Sequence, residues 1–205
     1  HIIIGKGPSA RTLQLDLPPF SLIAATTRVG LLTNPLRSRF GVTFRLDFYT
    51  LENIENILKR SASLMNLQTE PDALKQIAVS SRFTPRVANR LLKRVRDYAE
   101  VEGKGIINKN ITQKALALLE VDHLGLESTD RRLIEVIINK FNGGPVGLQA
   151  LAAATSEEID TIEDVHEPYL LQIGFLQRTA RGRIATKLAY EHLGLQLPPE
   201  SQNLL

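Results

Sequence analysis

Apolar positions along this chain change their spacing twice, and the changes divide it into three blocks. Ile2, Ile3 and Ile4 run together, Gly5-Lys6-Gly7-Pro8 supplies turn residues, and Leu13, Leu15 and Leu17 then alternate with polar positions. Alternation beside a Gly/Pro turn predicts a β-hairpin. Further on, the apolar run Ser21–Ala25 predicts a strand over Leu22–Ala25, followed by a short helix over Asn34–Phe40 and a strand over Val42–Phe48. Strands joined through helices make residues 1–48 the end of an α/β domain.

From residue 49 to 122 the spacing is helical throughout. Leu51, Ile54, Ile57 and Leu58 mark one helix, and Pro71 opens a second that runs through Ala78. Thr84-Pro85 opens a third, because Thr suits the N-cap and Pro the first turn. Ile111 to Leu119 forms the fourth; Ile111, Ala115, Leu118 and Leu119 recur at helical spacing, so Glu120 and Asp122 do not end a buried strand. Residues 123–197 then predict three helices and a β-hairpin, the layout of a winged helix: Asp130–Phe141, Leu148–Ala154 and Glu157–Ile173, then Phe175–Thr179 and Arg183–Thr186 around Ala180-Arg181-Gly182. Residues 198–205 remain as a tail.

Composition narrows the chemistry. A hydrophobic share of 43% against 23% charged residues supports real cores, and no stretch approaches the roughly 20 apolar residues of a membrane span. Zero cysteines exclude disulfides and thiolate metal sites, which agrees with a reducing compartment. The four histidines are scattered in sequence, and His166 has no second nitrogen ligand nearby, so no metal centre is expected. Net charge is only +3, but it is segregated: Leu17–Leu46 holds four arginines and no acid, residues 157–167 hold six acids, and Pro168–Tyr190 holds only cations.

Within Ala24–Gly41 an apolar run ends in two hydroxyls, Thr26 and Thr27, and a short helix then projects Arg37 and Arg39. That order fits a strand setting a polar residue beside a γ-phosphate and a guanidinium reaching a phosphate on a neighbouring subunit. The phosphate loop such a site needs, G-x-x-x-x-G-K-[ST], is not in the chain: Gly5-Lys6 and Gly103-Lys104 are each followed by Gly and lack the spaced Gly before them. On the third helix of the middle block Val87, Ala88, Leu91, Leu92, Val95 and Ala99 share one face, with Arg86, Arg90 and Lys93 opposite. Arg86 sits in the first turn, where free N–H groups and the helix dipole favour an anion. Tyr49 stands at the hinge between the first two blocks, positioned either for the core or for an adenine ring. Arg178, Arg181, Arg183 and Lys187 surround the wing turn, suited to backbone phosphates, while Glu157, Glu158, Asp160, Glu163 and Asp164 would repel a DNA groove.

These residues resemble the RuvB family, the bacterial AAA+ motors of Holliday-junction branch migration. The resemblance is carried by Asp16–Phe20, Ala25–Arg28, Pro35–Gly41, Thr84–Arg90, Phe141–Gly147 and Gly174–Arg183, and covers nearly all of residues 1–195. It implies the C-terminal part of an AAA+ ATPase large domain over 1–48, an all-α lid over 49–122 and a winged-helix DNA-binding domain over 123–197. Thr26 or Thr27 would then be the first sensor of the γ-phosphate, Arg39 the finger completing the adjacent subunit's site, Arg86 the second sensor and Tyr49 an adenosine contact. Arg178, Arg183 and Arg181 match the wing positions that meet DNA, and the hairpin carrying Ile2, Ile4, Leu13 and Leu15 matches the one that docks the partner RuvA. ATP and Mg2+ as cofactors, a homo-hexameric ring, a Holliday junction as substrate, the bacterial cytoplasm and no membrane all follow from the resemblance. Ala180 stands where the family's wing turn commonly has proline.

The family's two ATP-anchoring motifs are absent from these residues, so the polypeptide alone is expected neither to hold nucleotide well nor to hydrolyse it. A non-catalytic winged-helix loader that donates Arg39 to a partner, and a regulator whose wing reads an operator, are the alternatives. The chain starts at His1 without Met and in mid-element, which is read as the C-terminal part of a longer protein. Sequencing the coding region upstream of His1 is expected to find a phosphate loop and an apolar strand ending in Asp-Glu. A start codon immediately before His1 would instead favour the loader.

Overall fold

Among the described residues of the first part of the chain, strand pairing is confined to one antiparallel pair. The computed structural model describes residues 2–4, 11–14, 16, 18–26, 29–102 and 105–197, and contacts divide the chain into two units, 1–46 and 47–205. In the first unit β1 (Ile2–Ile4) pairs antiparallel with β2 (Arg11–Leu13) in the register Ile2↔Leu13. The expected turn at Gly5–Pro8, and Leu15 and Leu17, lie outside the described residues. Neither Leu22–Ala25 nor Val42–Phe48 forms the strand the sequence predicts. A strand persists only with a ladder partner, and among the described residues neither segment has one; Ile23 and Phe44 stand 95% and 81% exposed. The predicted helix over Asn34–Phe40 shortens to α1 (Asn34–Arg37), because Arg39 and Phe40 donate three residues back, to Leu36 and Arg37, and close the chain into a turn.

The second unit begins with four helices: α2 (Leu51–Leu64), α3 (Pro71–Val79), α4 (Pro85–Glu102) and α5 (Lys109–Leu118). Thr50 Oγ1 accepts from Asn53 N–H at 3.2 Å and Asn108 Oδ1 from Ile111 N–H at 2.9 Å, satisfying free donors at the starts of α2 and α5. Ile54 and Leu58, Ile77, Leu92 and Val95, and Ile107 form a core from which water is excluded. A short parallel pairing of β3 (Gln68–Thr69) with β4 (Ile106–Ile107), unforeseen in the sequence, ties the loops before α3 and α5. Leu118, read as a core position, is exposed: the buried face of α5 is Ile111, Thr112, Ala115 and Leu116, and Leu118 lies off it.

The winged helix follows, with α6 (Ser128–Phe141), α7 (Leu148–Thr155), a third helix, and the hairpin β5 (Leu176–Thr179) and β6 (Gly182–Ala185). The third helix is not the regular Glu157–Ile173 that was expected. It runs as α8 (Ile159–Thr161), a π turn over Ile162–His166 and α9 (Glu167–Gln172). At the end of the wider turn, His166 and Glu167 are both buried. Val146 forms a single antiparallel bridge to Arg183 beside the two-stranded wing sheet. Gly182, with φ +140°, permits this approach, since a Cβ there would meet the Val146 carbonyl. An unforeseen helix, α10 (Lys187–His192), closes the fold.

The four-helix part and the winged helix meet through a tight turn. Asp122 Oδ1 accepts from the N–H groups of Leu124 (2.9 Å) and Leu126 (2.8 Å), and Gly125, at φ +82°, packs against the Ser80 carbonyl. A Cβ on Gly125 would lie 2.5 Å from that oxygen in a conformation L residues avoid. Gly125→Ala is therefore expected to destabilise the unit by more than about 1 kcal/mol in denaturant unfolding.

Candidate functional site

In the first unit the two arginines of the α1 region part company. Arg37 folds back, its Nη2 donating to Asn34 Oδ1 of its own turn, whereas the Arg39 guanidinium is exposed and meets no side chain among the described residues. Arg39 is thus the one free to reach an external phosphate. Thr26 is exposed, while Thr27 lies outside the described residues. Ile2 and Ile4 occupy β1, Leu13 ends β2 with its side chain half exposed, and Leu15 lies outside the described residues.

In the second unit Tyr49 is half exposed immediately before the cap of α2, and Arg86 is exposed in the first turn of α4, as the periodicity predicts. Arg86 borders an open groove of about 440 Å³ with Asn89, Arg90, Lys93, Arg94, Arg96 and Asp97. Most of its cations are matched: Arg90 meets Glu127 at 3.1 Å, and Arg94 and Arg96 converge on Asp97. The Arg96 hydrogen bond holds the Asp97 carboxyl below the usual range against a smaller opposing effect of burial. Arg86 and Lys93 meet no acid among the described residues, which leaves Arg86 available to an anion.

The turn that launches α4 is held from the winged helix, and this the sequence reading missed. Arg82 and Phe83 both adopt φ 53°, an uncommon conformation for non-glycine residues. Arg82 Nε donates to the Gly125 carbonyl at 2.8 Å, its Nη2 donates to Asp130 Oδ2, and its guanidinium lies 5.3 Å over the Tyr169 ring. The Thr84 hydroxyl, expected as a cap, donates back to the Arg82 carbonyl at 3.1 Å. Asp130 is completely buried; besides Arg82 it accepts from Glu127 N–H (2.8 Å) and from His166 Nδ1 (2.7 Å). Burial, with Asp122 and Asp130 nearby, outweighs Arg82 and pushes the Tyr169 hydroxyl up to about 12, so Tyr169 stays a donor to the Leu124 carbonyl.

At the wing, one carboxylate takes two arginines. Glu167, 1% exposed, accepts hydrogen bonds from Arg178 Nε (3.0 Å) and from Arg183 Nε (2.9 Å) and Nη2 (3.1 Å), and Arg178 Nη2 lies in ion-pair contact at 2.9 Å. Burial pushes its carboxyl up, but hydrogen bonds and charge from the two guanidinium groups prevail and hold it below the usual range. Arg183 is only 13% exposed and serves as a strut. Arg178 is half exposed with Glu163 also nearby, and Arg181 on the turn is exposed. Of the three expected DNA contacts, Arg181 and Arg178 face solvent and Arg183 does not.

A free arginine in the turn after a short helix, a four-helix domain with an anion-ready first turn, and a winged helix bolted to it are the parts of an AAA+ ATPase domain's end, its helical lid and a winged-helix module. The chain belongs to the RuvB family: residues 1–46 match the Holliday junction DNA helicase RuvB P-loop domain, 49–122 the RuvB AAA lid domain and 123–194 the RuvB C-terminal winged helix domain. It is similar to the solved Thermotoga maritima RuvB Holliday junction branch migration motor, with 51% identity and TM-score 0.78 over 82% of this chain and 57% of that one. An alanine-to-serine variant of Thermotoga maritima RuvB matches with 51% identity and TM-score 0.83, over 89% of this chain and 61% of that one. A lysine-to-arginine variant matches at 51% identity and TM-score 0.83 over 91% and 62%. The chain thus spans about three fifths of the relatives' length.

The burial contrast between the wing arginines is measurable. Arg183→Ala removes two charged hydrogen bonds from buried Glu167 and is expected to cost about 2 kcal/mol in chemical denaturation. Arg181→Ala, at an exposed turn, is expected to stay within about 0.5 kcal/mol of the parent.

Proposed function

We propose that this chain supplies the trans-acting arginine, the nucleotide-sensing lid and the DNA-gripping wing of a hexameric ATP-driven motor for Holliday-junction branch migration in the bacterial cytoplasm. The observation that carries the reading is the exposed Arg39, free of side-chain partners among the described residues, in a chain that matches RuvB models along nearly its whole length. Arg39 stabilises charge developing on the transferred phosphoryl group of the neighbouring subunit. Thr26 or Thr27 senses the γ-phosphate within its own subunit, Arg86 approaches the same nucleotide from the lid, and Tyr49 packs on the adenosine.

These residues fit the rim of a nucleotide but not its anchor. Leu17–Leu46 contains no acid and the chain no phosphate loop, so the donors for Mg2+ and for the phosphate cradle are not among them. On the DNA side, Arg181 and Arg178 bind backbone phosphates with little regard to sequence, because the acidic third helix disfavours groove entry. The hairpin of Ile2, Ile4, Leu13 and Leu15 docks RuvA through an apolar contact.

In a motor completed with an upstream ATPase half, Arg39→Ala is expected to reduce ATP turnover by about 10³-fold or more while nucleotide binding persists. Single-turnover hydrolysis and equilibrium nucleotide titration separate the two, and retained turnover would remove Arg39 from this role.

A further inference from the structure

We propose that Asp122, His123 and His192 form a divalent-cation site of the zinc class at the joint between the lid and the winged helix. Asp122 and His123 are adjacent in sequence and His192 is remote from both, and the fold gathers one donor atom of each so that all lie within 4.8 Å of one another. Two imidazoles and a carboxylate are the donor set that zinc and its borderline-soft neighbours take, and one that Mg2+ and Ca2+ do not favour.

The site is oriented before any ion arrives. Asp122 Oδ1 is occupied by the N–H groups of Leu124 and Leu126, which aims Oδ2 at His192 Nε2, 2.8 Å away. The ring of Phe175 lies 4.9 Å from the His192 ring and fixes its plane from the core side. His123 closes the third side, its ring centroid 5.2 Å from that of His192. Two imidazoles on one tetrahedral ion, with metal–nitrogen bonds of about 2 Å, place their centroids roughly 5 Å apart. The oxygen–nitrogen contact of 2.8 Å needs to widen only to the roughly 3.3 Å separation of two ligands on such an ion. Because His123 is exposed, the fourth position opens to solvent and accepts a water. An ion held here fastens the end of the lid to α10 across the turn that also carries Gly125.

Binding by this chain needs neither ATP nor DNA, so the test is independent of the motor function. The chelator-stripped chain is titrated with ZnCl2 by calorimetry, and with Co2+ followed by visible absorption. One equivalent of zinc at micromolar affinity is expected, with intense four-coordinate cobalt bands. His123→Ala and His192→Ala should each weaken binding at least about tenfold and abolish the bands. His192 packs into the fold, so His123→Ala, at an exposed position, is the decisive variant. Absence of micromolar zinc binding overturns the site. So does undiminished binding in His123→Ala, which would move the ion to another histidine such as His1.

Discussion

A single buried carboxylate governs how the lid and the winged helix are joined. Asp130 has no access to water, yet it accepts hydrogen bonds from a lid arginine, from the third helix of the winged helix and from the start of its own helix. A charge stripped of water persists in a protein only when such donors replace the solvent, and removing one leaves the rest buried and uncompensated. The geometry is therefore mutually enforced. Arg82 can keep its left-handed backbone because Asp130 and the Gly125 carbonyl hold its guanidinium, and the start of α6 keeps its place because its capping carboxylate is the same group.

The same constraint reaches the wing through one peptide bond. His166 satisfies Asp130, and its neighbour Glu167 satisfies two wing arginines. Both are buried where the π turn passes into α9, so two adjacent positions serve the two ends. Such wide turns are uncommon and recur at functional positions. Here the irregularity joins an inter-domain clamp to the support of the wing. It also lowers the effective charge of the wing surface, since Arg183 is spent internally and Arg178 is shared with Glu167 and Glu163.

Much of this architecture was legible in the sequence. The lid helices show an apolar stripe at helical spacing, and Ala88, Leu91, Leu92, Val95 and Ala99 fall on the buried face of α4 as counted, with Arg86 outside. What escaped reading was anything set by distant partners. The strands at Leu22–Ala25 and Val42–Phe48 were read from local apolarity, but pairing is a property of two segments, and local pattern holds only one. Asp130 looks like an ordinary helix-start acid, three residues after Glu127, and nothing nearby announces that Arg82 and His166 converge on it. Arg178, Arg181 and Arg183 are equivalent as a string of cations; only burial of Glu167 sorts the strut from the exposed contacts. His123 and His192 are 69 positions apart (192 − 123) and meet because α10 folds back.

Rigidity at this joint bears on how a nucleotide signal would travel. Arg86 lies four residues beyond Arg82, in the first turn of the helix whose launching turn Arg82 anchors. Side-chain motion alone lets Arg86 explore about one side-chain length; any larger approach to a phosphate must move α4 itself. Moving α4 relative to the winged helix requires parting Arg82 from Asp130, a buried charged contact worth several kcal/mol to break. Moving the two together leaves that contact intact. The lower-energy route for any lid motion is therefore to carry the winged helix with it as one lever, because the contact that enforces this, Arg82 on Asp130, sits at the start of the very helix that would have to move.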